Sequence, residues 1–172
     1  MLTISLLRHA KSSRDDPSLE DRERPLAKRG TRDARRIGAW MEQNGLRPEL
    51  VLCSEALRTR ATLMLLMAEM NEFLPEVVYD PALYMADEAE LFERLRGVDQ
   101  RFGHMMMIGH NPGLHALAVG LVGSGPRKRL DALAERLPTA GLVVVEFDLK
   151  NWSSLKRGTG CLRQFKVPRS LG

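Results

Sequence analysis

Met105-Met106-Met107-Ile108-Gly109-His110-Asn111-Pro112-Gly113 sets an unbroken apolar run against a polar, glycine-bounded exit. Apolar residues without alternation describe a strand covered on both faces, as in a mainly parallel sheet with helices above and below. Pro112 suits the first turn of a helix, so a helix is expected over 112–122. Working outward, the same alternation of strand and helix recurs, which is the pattern of an α/β fold. Residues 2–7 form a first buried strand. Ala34, Ile37, Gly38 and Met41 recur at helical spacing, and Gly45 ends that helix as a C′ glycine. A second strand is expected over 50–53 and a heavily buried helix over 57–70. A short strand over 76–79 precedes a helix over 88–95, turning either Ala89, Phe92 and Leu95 or Leu91 and Leu95 inward. The last strands are expected over 142–147 and 161–167, joined by a loop around Gly158-Thr159-Gly160. Residues 11–24 read as a polar surface loop, and 123–129 as a flexible basic break.

The chain has 172 residues, 44% of them hydrophobic and 28% charged, which suits a single folded domain spanning 1–172. No repeat and no linker divides it. Two cysteines, Cys53 and Cys161, are too few for a disulfide framework. No apolar run approaches the ~20 residues of a membrane span, and the N-terminus lacks the features of a signal peptide. The cytoplasm is therefore the expected location, with no membrane partner. Lys and Arg number 26 against 22 Asp and Glu, giving +4. So small an excess, with aromatics at 5%, makes a nucleic-acid partner unexpected.

Three motifs fall at strand exits, where ligands bind in open α/β sheets. They are Leu6-Leu7-Arg8-His9-Ala10, Ser54-Glu55-Ala56-Leu57-Arg58-Thr59-Arg60-Ala61-Thr62, and Ile108-Gly109-His110-Asn111-Pro112-Gly113. Together they offer two histidines and at least two arginines. Arginine's planar fork fits phosphate oxygens, and helix N-termini after Ser54 and Asn111 favour an anion. A neutral imidazole nitrogen is a competent nucleophile toward phosphorus. Such a set supplies positioning and charge stabilisation, the chief needs of phosphoryl transfer.

Leu7-Arg8-His9-Ala10, Ser54…Arg58-Thr59…Thr62 and Gly109-His110-Asn111-Pro112 resemble the histidine phosphatase superfamily, also called phosphoglycerate mutase-like. Within it, Arg8-His9-Ala10-Lys11 and the element Asp21, Arg24, Pro25, Leu26, Gly30 resemble the short SixA-type branch of phosphohistidine phosphatases. The resemblance runs from about residue 2 to the last strand. It implies a three-layer fold, with a mostly parallel central sheet flanked by helices on both faces. It also implies that His9 is the nucleophile, phosphorylated at Nε2. Arg8 and Arg58 would clamp the phosphoryl oxygens, and His110 would complete the pocket. Asn111 would set the turn that aims His110, while Asp21 and Arg24 would order the loop over the site.

Larger members of that superfamily carry an acid after the third strand to protonate a leaving oxygen. Here the region reads Asp80-Pro81-Ala82-Leu83-Tyr84-Met85-Ala86-Asp87-Glu88, with only Asp87 or Glu88 as substitutes. An alkoxide needs a proton to leave, whereas a ring-protonated phosphohistidine releases neutral imidazole, whose pKa is about 6.5. The expected substrate is therefore phosphohistidine on a protein, such as a phosphotransfer domain or carrier. The alternatives are a small phosphoester, acted on by a phosphomonoester phosphatase, and a phosphoprotein-binding module without turnover. A mutase fits less well, because the chain lacks insertions to enclose a sugar phosphate.

The histidines show no metal spacing, and neither cysteine has a Cys-x-x-Cys partner, so neither metal nor cofactor is expected. Four residues separate Cys53 from Arg58 and six separate it from Arg60; neither spacing matches a cysteine phosphatase loop. Cys53 and Cys161 are expected to be buried small hydrophobes. His104 and His115 stand outside the motifs and are expected to be structural. Met64, Met67, Met70 and Met105 to Met107 are expected in the core. Arg29, Arg32, Arg35 and Arg36 read as a solvated helix face or a docking surface for an acidic partner, and Arg127-Lys128-Arg129 is equally ambiguous. A monomer is the expected state.

Overall fold

In the computed structural model, which describes residues 1–171, strand β1 (Leu2–Arg8) lies beside β4 (His104–Gly109). The two run parallel, with Ile4 opposite Met105 and Arg8 opposite Gly109. Their side chains divide cleanly between the faces of the sheet. Leu2, Ile4, Leu6, Met105 and Met107 enter one core, while Leu7, Met106 and Ile108 enter a second. That division explains why every residue of Met105–Ile108 is apolar: both faces are covered.

The sheet has seven strands in the order β3-β2-β4-β1-β6-β7-β5. The remaining five are β2 (Leu50–Ser54), β3 (Glu76–Asp80), β5 (Val122–Ser124), β6 (Leu142–Phe147) and β7 (Gly160–Lys166). β1, β2, β3 and β4 are mutually parallel, β5 is parallel to β7, and β6 is antiparallel to both of its neighbours. Helices α1 (Lys28–Gln43) and α2 (Leu57–Met67) cover one face through Ile37, Met41, Leu63 and Leu66. On the opposite face lie α3 (Glu88–Arg96), α4 (Gly113–Leu121) and α5 (Arg127–Glu135), with Leu95, Leu117 and Leu133 turned inward. This is the three-layer, mostly parallel architecture of the phosphoglycerate mutase-like fold. The chain leaves β1 and β2 on one face and returns from β3 to β4 on the other. The exits of β1 and β4 therefore flank a topological switch point.

Two glycines matter to this layout. Gly45 (φ +63°) ends α1 in a Schellman arrangement, with Gly45 N–H donating to Glu42 O and Leu46 N–H to Met41 O. Gly30 sits where a Cβ would lie 2.1 Å from Lys11 O, so a hydrogen there lets α1 abut the chain leaving His9.

Several expectations are corrected. α2 ends at Met67 and not at 70, and it is not buried all round: Leu57 and Met64 face solvent, and Met67 is half-buried. In α3 the inward residues are Leu91, Phe92 and Leu95, while Ala89 is exposed. The supposed break over 123–129 holds most of edge strand β5 and the start of α5, because Val122 and Ser124 pair with β7. Cys161 is half-buried.

Candidate active site

The parallel strands end in register, Arg8 opposite Gly109 and Ser54 opposite Asp80, so their exits converge on one cleft of about 350 Å³. Arg8, His9, Asp21, Arg24, Arg58, His110 and Asn111 all line it; every residue expected in the site is there. His9 is buried, and its Nδ1 lies 2.8 Å from the Ala10 carbonyl oxygen. A carbonyl only accepts, so Nδ1 carries the proton and Nε2 keeps its lone pair. Burial first, then the charges of Arg58, Arg8 and Arg24, lowers its pKa from 6.5 to about 4, against an upward pull from the Ala10 carbonyl. At neutral pH the ring is uncharged, with its Nε2 lone pair free of a proton.

His110 leaves β4 with its ring centroid 5.3 Å from that of His9. Its Nδ1 accepts from Arg58 Nη2 at 3.4 Å, which makes Nε2 the protonated nitrogen, donating to Ser54 Oγ at 2.7 Å. Burial, Arg58 and His9 together lower the His110 pKa to about 3. Ser54, the last residue of β2, is thus a positioning residue that the motif contained without revealing its role.

Arg58 enters from the first turn of α2, its side chain only 4% exposed. The turn before it is tied by Thr59 Oγ1, which lies 2.7 Å from both the Ser54 and Ala56 carbonyl oxygens. Thr62 Oγ1 donates to Arg58 O and accepts from Ala10 N–H at 3.0 Å, linking the helix to the chain after His9. These bonds explain the spacing Ser54…Arg58-Thr59…Thr62. Arg8 is held by the Leu137 carbonyl, which accepts from Arg8 Nη1 at 3.1 Å and from Asn111 Nδ2 at 2.9 Å. Arg8 Nε is buried and meets no hydrogen-bond partner among the described residues. Burial and the Arg58 charge lower the pKa of Arg8. Two guanidiniums and an orphaned N–H in one cleft favour a multivalent anion.

Over this cradle lies a 3-10 turn, Asp21–Glu23. Asp21 takes Arg58 Nη2 at 2.9 Å and Arg24 Nη1 at 2.8 Å on its carboxylate, and Arg58 Nη1 on its backbone carbonyl at 2.6 Å. Tyr84 O–H also donates to that carboxylate. Tyr84, Arg24 and Arg58 hold its pKa far below the carboxylate range, so Asp21 is ionised. Arg24 further donates to Ser12 Oγ and to Ser13 O, stitching the loop over residues 11–24 to the site.

Tyr84 lines the cleft and packs edge-on to His110 at 5.3 Å, with the Arg22 guanidinium 4.2 Å from its ring centre. Sequence reasoning missed it; its position after β3, in the stretch read only for carboxylic acids, was the available signal. Neither Asp87 nor Glu88 lines the cleft. Asp87 caps α3, exchanging 2.9 Å bonds with Glu90, and Glu88 pairs with Arg157 at 2.8 and 2.9 Å. Cys53 is buried, its thiol pushed up to about 12 by burial, and it lies outside the cleft. His104 bonds Ser5 and His115 bonds the Leu133 carbonyl, both away from the site.

No family model matches the chain. The uncharacterized protein Rv1276c of Mycobacterium tuberculosis is 34% identical over 165 residues, covering 95% of this chain and all of that one. Among solved structures, a protein assigned as the phosphohistidine phosphatase SixA of Agrobacterium tumefaciens is 28% identical. Its TM-score is 0.80, with 97% of this chain and 98% of that chain covered. The protein histidine phosphatase SixA in complex with tungstate shares the fold at TM-score 0.79 and 22% identity, covering 99% and 100%. With the motifs in order and the fold matched end to end, the chain belongs to the histidine phosphatase superfamily, in its SixA-type branch.

Proposed function

We propose that this protein hydrolyses phosphohistidine on another protein, through a phosphoenzyme formed at His9 Nε2. The observation that carries the substrate class is the state of the acids. Asp21 is the only carboxylate lining the cleft among the described residues; it is ionised and engaged by Arg58, Arg24 and Tyr84. Tyr84, the phenol beside it, keeps its proton, donating its O–H in a hydrogen bond to Asp21, and has a raised pKa. The cleft thus lacks a side chain suited to protonate a departing alkoxide, and a P–N bond does not need one.

In the first step Nε2 of His9 attacks phosphorus as the substrate's P–N bond breaks. The substrate imidazole, protonated on its other ring nitrogen, leaves neutral. Arg8 and Arg58 hold the equatorial oxygens in this reading, and the flanking His110 ring, held by Ser54, walls the cleft. In the second step water attacks phosphorus and the bond to Nε2 breaks. Because Nδ1–H is held by the Ala10 carbonyl, phosphorylated His9 is an imidazolium and departs as neutral imidazole. Asp21 positions Arg58, and Asn111 shares with Arg8 the Leu137 carbonyl. The tungstate-bound neighbour supports an oxyanion site at the level of the fold.

The test is a comparison of kcat/KM for a histidine-phosphorylated phosphotransfer protein and for an alkyl phosphomonoester. The expected result is strong preference for the P–N substrate. Comparable turnover of the alkyl ester would contradict the reading and favour a small-molecule phosphatase.

A further inference from the structure

The segment from Arg136 to Ala140 joins the active site to a second feature of the surface. Its Leu137 carbonyl holds Arg8 and Asn111, and Ala140 N–H donates to the carbonyls of Arg8 and His9. Thr139 lines the catalytic cleft and also a neighbouring groove of about 350 Å³. That groove is bordered by Arg29 and Arg32 of α1, by Arg136 after α5 and by Arg169 near the C-terminus. It continues past Arg136 and Arg169 into a further hollow, whose walls include Lys128 and Arg129 and whose floor includes Phe165 and Val167.

The cations here are largely uncommitted. None of the ion pairs among the described residues engages Arg136, Arg169 or Lys128. Arg29 and Arg32 share the single carboxylate of Asp33 at 3.9 and 3.7 Å, and the one other acid of the two hollows is Glu135. Arg35, by contrast, is spent on Glu69 of the α2 side at 2.6 Å and lines neither hollow. Arg36 does both: it lines the groove and donates to the Leu171 carbonyl at 2.5 Å.

We propose that this basic groove docks an acidic protein face with apolar residues, and so presents that protein's phosphohistidine to His9. The inference rests on the phosphohistidine reading above. Carboxylates would meet the arginine rim and apolar side chains the Phe165–Val167 floor. Such complementarity steers encounter and fixes orientation more than it adds affinity. A nucleic acid fits less well, because Phe165 is the single aromatic ring lining the two hollows and Asp33 and Glu135 line them too.

The experiment is the double charge reversal Arg136→Glu with Arg169→Glu, assayed on two probes. One is a histidine-phosphorylated phosphotransfer domain with an acidic face; the other is free phosphohistidine. The expected result is a loss of about tenfold or more in kcat/KM on the protein, carried by KM, with free phosphohistidine turned over as by wild type. The wild-type rate on the protein is also expected to fall with added salt, and the variant's to respond less. Equal rates of variant and wild type on the protein probe would overturn docking while leaving the phosphatase reading intact. Wild type inert toward both probes would overturn both. Oligonucleotide binding abolished by the reversal, with protein turnover unchanged, would overturn it in favour of nucleic acid.

Discussion

A single carbonyl, that of Ala10, decides which nitrogen of His9 keeps its lone pair. The consequence is measurable ring by ring. His9 and His110 are expected to titrate near pH 4 and pH 3 in an NMR titration of the imidazole resonances. Below about pH 4 the Nε2 lone pair of His9 is lost to a proton, and activity is expected to fall with it. A His9 midpoint near the ordinary 6.5 would mean the ring is more open to water than the fold implies. Arg58 is the second residue under test. Arg58→Ala should lower kcat/KM by ~10²-fold or more, the scale of losing one preorganised donor. Lysine at this position should not restore the rate, since it lacks the two-pronged fork. An unchanged rate in Arg58→Ala would remove Arg58 from contact with the phosphoryl group.

Among the elements, α1 is fastened to the catalytic loop at Gly30, where a methyl group would meet Lys11 O at 2.1 Å. Gly30→Ala is expected to cost about 1–3 kcal/mol, as overpacking usually does. It should also slow turnover, because Lys11 follows His9 by two residues. Urea unfolding would show this as a lower midpoint at constant slope; an unchanged midpoint would mean that α1 shifts freely. The strands and motif exits were legible because their signals are local: an unbroken apolar run, then Gly-His-Asn-Pro. β5 was not, since a short edge strand paired with β7 hides in Gly123-Ser124-Gly125-Pro126. The solvent-facing Met64 was hidden by a helix whose apolar residues mark no single face. Tyr84 was missed because its partner Asp21 lies far away in sequence, and no local pattern records that bond.

Across the whole molecule, the buried His9 and His110 and the half-buried His104 couple stability to pH. His9 and His104 are lowered to about 4 and His110 to about 3, burial being the first cause in each. The unfolded chain therefore binds more protons than the folded one between the ordinary histidine pKa of about 6.5 and those values. Stability is fully present above about pH 6.5 and is lost as pH falls toward 3–4, by at most about 1.4 kcal/mol per pH unit for each ring. Urea unfolding at about pH 7 and about pH 5 should give the lower midpoint at pH 5. Equal midpoints would contradict the burial of neutral rings. The same burial that keeps the His9 ring uncharged thus makes the fold acid-sensitive.

The most direct test is to trap the phosphoenzyme. Wild type and His9→Ala would be mixed with a histidine-phosphorylated phosphotransfer protein carrying labelled phosphorus, quenched in alkali and mapped by mass spectrometry. His9 follows β1 and belongs to neither apolar core, so His9→Ala should fold as wild type does. The prediction is an acid-labile, alkali-stable label on His9 of the wild type, with no label and no phosphate release in His9→Ala. Substantial release by His9→Ala, or a label on another residue, would contradict it.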